Sequence, residues 1–157
     1  MAVIILIGPS HAGKTTLGKR VSCALKAEYH DMDIEAKVRM SDYMDNAKQL
    51  LEKYSSTEER HILDFGAGYQ NHEDSYGLFK PFSDFMITIW EKPEILFQHH
   101  KLGNTKLRFE DFSNIEYREA RQKIYNMAKY RLERTWDDIE GDVVKLEKLL
   151  RTLFYQD

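Results

Sequence analysis

The chain reads as an α/β fold, a three-layer α/β/α arrangement around a central parallel sheet of about five strands. Three observations carry that reading. Val3-Ile-Ile-Leu-Ile7 is apolar, β-branched and unalternating, the pattern of a strand covered on both faces. Further short apolar runs at His61–Phe65 and Phe85–Trp90 alternate with longer segments of helical period. Strands separated by helices need crossover connections, and crossovers make the strands parallel.

Taken in order, the first strand is followed from Lys14 by a helix with Leu17, Val21, Ala24 and Leu25 on one face. Tyr29-His30 is a short second strand ending at Asp31. Residues from about Ile34 to Tyr54 are helical in two pieces, with Tyr43, Ala47, Leu50 and Tyr54 forming a stripe. His61-Ile-Leu-Asp-Phe65 is a buried strand stopped by Gly66-Ala-Gly68. Gln70–Phe85 is a long polar-aromatic connection, and Tyr54, Tyr69, Tyr76, Phe79 and Phe82 read as core or rim.

After the Phe85–Trp90 strand, Pro93 suits the first turn of a helix carrying Ile95, Leu96 and His99. Residues 101–113 are polar, glycine-containing and aperiodic, which predicts a mobile loop; Asn114 to about Lys129 is helical. Tyr130–Thr135 fits either a last strand or a continuation of that helix. Asp137 and Asp138 then stand at the positive end of a final helix whose stripe is Ile139, Val143, Leu146, Leu150 and Leu153.

With 157 residues and 42% hydrophobic content, the expectation is one domain over 1–157, with a core that needs no disulfide or structural metal. The net charge of −3, balanced between the two halves, offers no basic footprint for nucleic acid. Ala2–Ile7 is too short to span a membrane, and no other run approaches membrane length. Cys23 cannot form an internal disulfide, which fits a reducing cytoplasm; set among apolar helix positions, it is expected to be a small buried side chain. The adjacent His99-His100 pair has no acidic or cysteine partner at ligand spacing and does not read as a metal site. The expectation is a cytoplasmic monomer, with neither nucleic acid nor membrane as partner.

Gly8-Pro-Ser-His-Ala-Gly13-Lys14-Thr15 matches G-x-x-x-x-G-K-[ST], after a buried strand and at the opening of a helix. The glycines let the backbone curl so that successive N–H groups, including those around His11 and Ala12, face phosphate oxygens. The helix N-terminus adds partial positive charge. Lys14 is placed to bridge β- and γ-phosphates and the Thr15 hydroxyl to ligate Mg²⁺, with Thr16 beside it. His11 lies in the loop, where the backbone does the binding. The motif predicts a nucleoside triphosphate with Mg²⁺.

Ligands of open α/β sheets bind beyond the carboxyl ends of the strands, which singles out Asp31, Asp33 and Asp64. In Asp31-Met-Asp33 one carboxylate can position Mg²⁺ while the other accepts a hydrogen bond from a substrate hydroxyl and acts as base. The same pair also suits an Asx-turn or a helix cap, with Asp33 placed before Ile34 for the cap. Ile62-Leu-Asp64 has the form of a metal-positioning strand end, or of a solvated carboxylate at a strand end. Gly66-Ala67-Gly68 can bring backbone N–H groups against a substrate, or be an ordinary turn.

These segments together resemble the shikimate kinase family of small P-loop kinases. The likeness runs through Ile7–Gly18, Asp31–Glu35, Ile62–Gly68, the Phe85–Trp90 strand with Glu91–Leu96, and Arg121-Gln-Lys-Ile-Tyr125. It implies a P-loop kinase fold with a mobile lid at about 101–113. It also implies Lys14 and Thr15 on ATP-Mg²⁺, Asp31 in the metal shell, and Asp33 as base. Gly66, Ala67 and Gly68 would line the substrate pocket, Arg121 would take a substrate anion, and Arg108 would be the lid arginine near the γ-phosphate. The acceptor side departs from the family: Ala47-Lys48 stands about where Phe-Arg is expected, Ala67 replaces the middle glycine, and Asp64 replaces a small residue. The reading is thus an ATP-dependent phosphotransferase to an alcohol with the acceptor open. A nucleoside or nucleotide kinase and a non-catalytic nucleotide-binding regulator are the alternatives.

Overall fold

Strand β1, Val3–Ile7, is wholly buried, and its side chains divide between two cores as strand geometry requires. Val3, Ile5 and Ile7 join Met32, Ala47, Leu51, Phe65 and Phe79 on one face. Ile4 and Leu6 join Leu17, Val21, Leu146 and Leu150 on the other. Each such aliphatic side chain removed from water contributes roughly 1.5–3 kcal/mol. A strand apolar on both faces can sit only at the centre of a covered sheet. The computed structural model, which describes residues 3–36, 43–66, 75–101 and 108–155, places it there.

The sheet has five parallel strands in the order β2-β3-β1-β4-β5, where β2 is Glu28–Asp31, β3 His61–Asp64, β4 Met86–Trp90 and β5 Tyr130–Glu133. Helix α1 (Lys14–Leu25) and the C-terminal helix α8 (Ile139–Phe154) cover one face. Helices α2 (Met32–Ala36), α3 (Tyr43–Ser55), α4 (Ser75–Phe79) and α7 (Glu119–Met127) lie on the other. Because β3 lies on one side of β1 and β4 on the other, the sheet splits in connectivity at the C-terminal end of β1. Open α/β folds place ligands at such a point. The register brings Leu6 beside Asp64, and Asp64 beside Asp31, so three strands end level.

The segment 130–135, which fits either a strand or a continued helix, is strand β5 over Tyr130–Glu133. Part of the predicted mobile loop is instead ordered helix: α6 runs Phe109–Glu116, so 109–113 are helical, while 102–107 lie outside the described residues. The apolar positions that hold α6 are Phe112 and Phe109, packed with Leu96 and Phe97 of α5 (Pro93–Lys101) and with Tyr117. The helix predicted from Asn114 to Lys129 is broken at Tyr117-Arg118, where Arg118 takes an extended ψ of 155° and starts α7. The Gln70–Phe85 connection contains α4 and a 3-10 turn over Lys80–Phe85.

Cys23 is exposed, contrary to expectation; the α1 face that packs inward carries Leu17, Gly18, Val21, Ser22 and Leu25. Ala24 and Ile139 also lie outside their predicted stripes, Ala24 exposed and Ile139 at the entrance of α8. Of the two carboxylates expected at the positive end of the last helix, Asp138 caps α8 by accepting the Gly141 N–H at 2.9 Å. No helix among the described residues is long and apolar enough to cross a membrane.

Candidate functional site

The chain leaves β1 through Gly8, whose φ is +147° and whose hypothetical Cβ would lie 2.2 Å from the Ile89 carbonyl oxygen of β4. No side chain fits there. His11 adopts a left-handed φ of 67° and Gly13 one of 91° where it caps α1. Left-handed residues set into such a loop let N–H groups turn toward an anion as a donor nest at a helix N-terminus; here the Ala12 N–H is given to the Pro9 carbonyl at 3.3 Å. The His11 and Thr16 side chains are exposed and Ala12 is buried.

The outside of the loop is braced by a residue that local sequence patterns do not reveal. Arg134, just after β5, donates through Nη1 to the Ala12 carbonyl at 2.6 Å and through Nε to Asp142 Oδ2 at 2.8 Å. A Cβ on Gly13 would stand 2.0 Å from that guanidinium, so the second loop glycine is required by packing as well as by its φ. Asp142 also accepts the Thr135 N–H at 2.9 Å, and the Arg134–Asp142 pair is almost completely buried. Such a pair is held by its geometry and its extra hydrogen bonds rather than by Coulomb attraction alone.

Lys14 is buried, and its ammonium donates to the Gly8 and Pro9 carbonyls at 3.0 and 3.1 Å. Burial lowers its pKa; Asp64, Glu116 and Asp33 act in the opposite direction, and Arg121 adds to the lowering. Those opposing effects identify the charged groups gathered around the ammonium. Thr15 Oγ1 donates to Asp64 Oδ2 at 3.1 Å, and the Tyr29 hydroxyl donates to the same oxygen. Burial raises the Asp64 pKa, and Lys14 opposes that shift. The hydroxyl and carboxylate oxygens of Thr15 and Asp64 are the hard donors that suit Mg²⁺.

Asp31 and Asp33 separate in role. Asp31 Oδ1 accepts the N–H groups of Asp33 and Ile34 at 3.1 and 3.3 Å, so the residue capping α2 is Asp31 and not Asp33. Asp33 instead rests its carboxylate on Gly66: a Cβ there would lie 1.7 Å from Asp33 Oδ2. The glycine after β3 is therefore a close-approach position. Ala67 and Gly68 lie outside the described residues.

Arg121 of α7 is buried and pairs with Glu116 at 2.7 Å. The same Glu116 oxygen accepts the N–H of Ser10 in the glycine loop at 2.9 Å, joining the loop to the end of α6. Tyr125 fixes this corner by donating to the Glu116 carbonyl at 2.9 Å, which gives the Arg121–Tyr125 spacing a structural use. Sequence reading did not find Glu116, because a contact across 106 residues leaves no local signature. Arg108 is not part of the gathering: its side chain is 77% exposed beside Glu110 at the entrance of α6. Lys48 lines a separate hollow of about 470 Å³ with Asp45, Glu52, Leu78 and Phe82.

No family profile matches the chain, and no curated protein sequence does. Solved structures do. The fold is similar to that of shikimate kinase from Bacteroides thetaiotaomicron, with a TM-score of 0.72 at 20% identity over 96% of this chain and 98% of that one. Shikimate kinase from Aquifex aeolicus gives 0.70 at 20% identity, covering 98% of each chain. A deoxyadenosine kinase from M. mycoides gives 0.60 at 13% identity over 96% of this chain and 99% of that one. With identities this low the likeness is one of fold, and the chain has the α/β fold of the small P-loop kinases, most similar among these three to the shikimate kinases.

Proposed function

We propose that this chain, as one unit over 1–157, is an ATP-dependent kinase that transfers the γ-phosphate to a hydroxyl of a small molecule. One observation carries the reading. The donor nest, Lys14, the Thr15–Asp64 oxygen pair and Asp33 on Gly66 stand together at the carboxyl ends of β1, β2 and β3. Solved structures of the same fold include a shikimate kinase from Acinetobacter baumannii in complex with shikimate (TM-score 0.67, 18% identity) and a gluconokinase from Sinorhizobium meliloti (0.56, 13%). Those neighbours agree with a hydroxylated acceptor.

In this reading the backbone of Gly8–Thr15 and the Lys14 ammonium hold the triphosphate of ATP, and Thr15 with Asp64 holds Mg²⁺. ATP-Mg²⁺ supplies the transferable phosphoryl group and the charge neutralisation it needs. Lys14 lies among carboxylates and loop carbonyls, a position from which its charge reaches the phosphate side of the site. Asp33 receives the proton of the acceptor hydroxyl, its carboxylate held against Gly66 at the end of β3. Asp31 holds the start of α2 and, through it, the placement of Asp33.

The site differs in one respect from one built for a carboxylated acceptor. Arg121, the cation that would take an acceptor carboxylate, already holds Glu116. An internal carboxylate in that place favours a neutral polyol over an anionic acceptor. The test is ADP release by the intact chain with ATP-Mg²⁺ and a panel of shikimate, quinate, neutral sugars and nucleosides. Acceptor-stimulated ADP formation is expected, strongest with a neutral hydroxylated compound. Tight nucleotide binding with no stimulation by any acceptor would replace the kinase reading with that of a nucleotide-binding regulator.

A further inference from the structure

Away from the glycine loop, β2 and β3 bring two imidazoles and a carboxylate to one point. In the parallel register Glu28 lies opposite His61, and His30 follows Glu28 on the same face of β2. The alternation of the strand and the pairing of the sheet therefore aim all three side chains at the α3 side. His30 Nε2 and His61 Nδ1 are 3.0 Å apart, and Glu28 Oε2 is 3.5 Å from each. A tetrahedral Zn²⁺ with bonds of about 2.0–2.1 Å spaces its ligand atoms about 3.3–3.4 Å apart. The three atoms thus form a triangle of the size of one face of such a site.

The outward ring atoms support the same arrangement. His30 Nδ1 faces Glu35 Oε1 at 3.1 Å, and that oxygen also accepts from the Tyr54 hydroxyl at 2.8 Å. A carboxylate can only accept, so His30 carries its proton on Nδ1 and turns the lone pair of Nε2 inward. Thr57 Oγ1 donates to the Tyr54 carbonyl at 3.1 Å and lies 2.6 Å from His61 Nε2. With its hydrogen given to Tyr54, the hydroxyl accepts from His61, which leaves the lone pair of His61 Nδ1 facing inward as well. Two lone pairs and a carboxylate oxygen then converge with no donor among them. A cation satisfies all three. Imidazoles that ligate a metal through one nitrogen and donate through the other to a carboxylate or hydroxyl are the usual second layer of such sites.

We propose that Glu28, His30 and His61 bind a divalent transition-metal ion of the Zn²⁺ class, with a fourth position open to water on the exposed Glu28 side. The ion would join β2 to β3 and, through Glu35 and Thr57, to α2 and the C-terminal end of α3. It lies one residue before Asp31, on the framework that carries Asp33, and is distinct from the oxygen pair of Thr15 and Asp64. The other arrangement open to these groups has Thr57 giving its hydrogen to His61 and the imidazoles sharing one hydrogen bond. That arrangement leaves Glu28 without a ligand role and takes up no metal.

The experiment uses the full chain, stripped with chelator and kept free of nucleotide and Mg²⁺, titrated with Zn²⁺ and separately with Co²⁺. One equivalent of Zn²⁺ is expected, with the intense visible absorption of four- or five-coordinate Co²⁺. Glu28→Gln changes an exposed side chain and leaves the core intact; it should weaken binding at least about 10-fold and abolish the Zn²⁺-dependent rise in melting temperature. Glu35→Ala, which removes the acceptor of His30 Nδ1–H, should weaken binding about 10-fold by freeing His30 to turn. Cys23→Ser and the His99→Gln, His100→Gln pair should bind as the parent chain does. Failure to bind one equivalent, an octahedral Co²⁺ spectrum, or Zn²⁺ affinity unchanged in Glu28→Gln would each overturn the proposal and leave the hydrogen-bonded histidine pair.

Discussion

The two sides of the candidate site are built in different ways. The nucleotide side is made largely of backbone: Gly8 and Gly13 at positive φ, a left-handed His11 and the first turn of α1. The acceptor side is made of side chains brought from distant segments: Asp33 against Gly66, and Arg121 held by Glu116, which in turn grips Ser10. A backbone nest is specified by eight consecutive residues, Gly8–Thr15, whereas the acceptor corner exists only once β2, β3, α6 and α7 have assembled. In the proposed reading, the phosphate donor is written into one motif, while the acceptor can change through a few substitutions that leave the loop intact.

The largest effect that tests this division is Lys14→Met. Removing the buried ammonium from among Asp33, Asp64 and Glu116 should lower acceptor-stimulated ADP formation by about 10³-fold or more, measured in a coupled ADP assay. A variant retaining most of its turnover would take Lys14 out of the transfer chemistry.

Second in size, Arg134→Leu asks how independent the loop is. It leaves Asp142 buried without its cation, although the Thr135 N–H still holds that carboxylate. A stability loss of about 3 kcal/mol by urea unfolding is expected, the low end for breaking a buried pair. Changing Asp142 to Leu as well should recover part of that loss. The Arg134→Leu protein should also bind ATP more weakly, because Ala12 and Gly13 lose their brace. An unchanged stability would mean that the nest stands on its own motif alone.

The third variant, Asp33→Asn, separates the two sides directly. Turnover should fall about 10²-fold while nucleotide affinity, read by equilibrium titration, stays close to that of the parent chain. Equal losses in both would place Asp33 in nucleotide binding rather than in proton transfer.

How much of this was legible in the sequence follows the same division. Strand β1, helix α1 and the stripe of α8 could be read because burial on two faces and a 3.6-residue period are local patterns. The loop and the strand-end carboxylates followed from the same kind of reading. Helix α6 escaped it because its anchors, Phe109 and Phe112, gain their meaning from Phe97 and Tyr117 in other elements. Cys23 was misplaced by one helical position, its neighbour Ser22 being the inward residue, since Gly18 and Ser22 pack inward without apolar side chains. Asp31 and Asp33 could not be told apart, because only the direction in which α2 leaves the sheet decides which carboxylate meets its N–H groups. Arg134 and Glu116 left no trace because each acts across more than 100 residues.

The smallest expected effect discriminates most finely between two roles for Glu116. Its carboxylate receives Arg121 and the Ser10 N–H, so it either holds the loop in place or screens the site against a further anion. Glu116→Gln keeps a hydrogen-bond acceptor of the same shape and removes one negative charge from the neighbourhood of Lys14. If screening dominates, an anionic acceptor should bind about 3- to 10-fold more tightly beside Arg121, while ATP affinity rises by a smaller factor. If holding the loop dominates, ATP affinity should instead fall and anionic acceptors gain nothing. The first outcome is expected, because the amide oxygen of the substituted side chain can still take the Ser10 N–H, whereas the loss of charge weakens the grip on Arg121. A comparison of KM for a carboxylated and a neutral acceptor in the parent chain and in Glu116→Gln reads this directly. A change confined to the carboxylated compound would show that acceptor choice is set by one side chain outside the nucleotide loop.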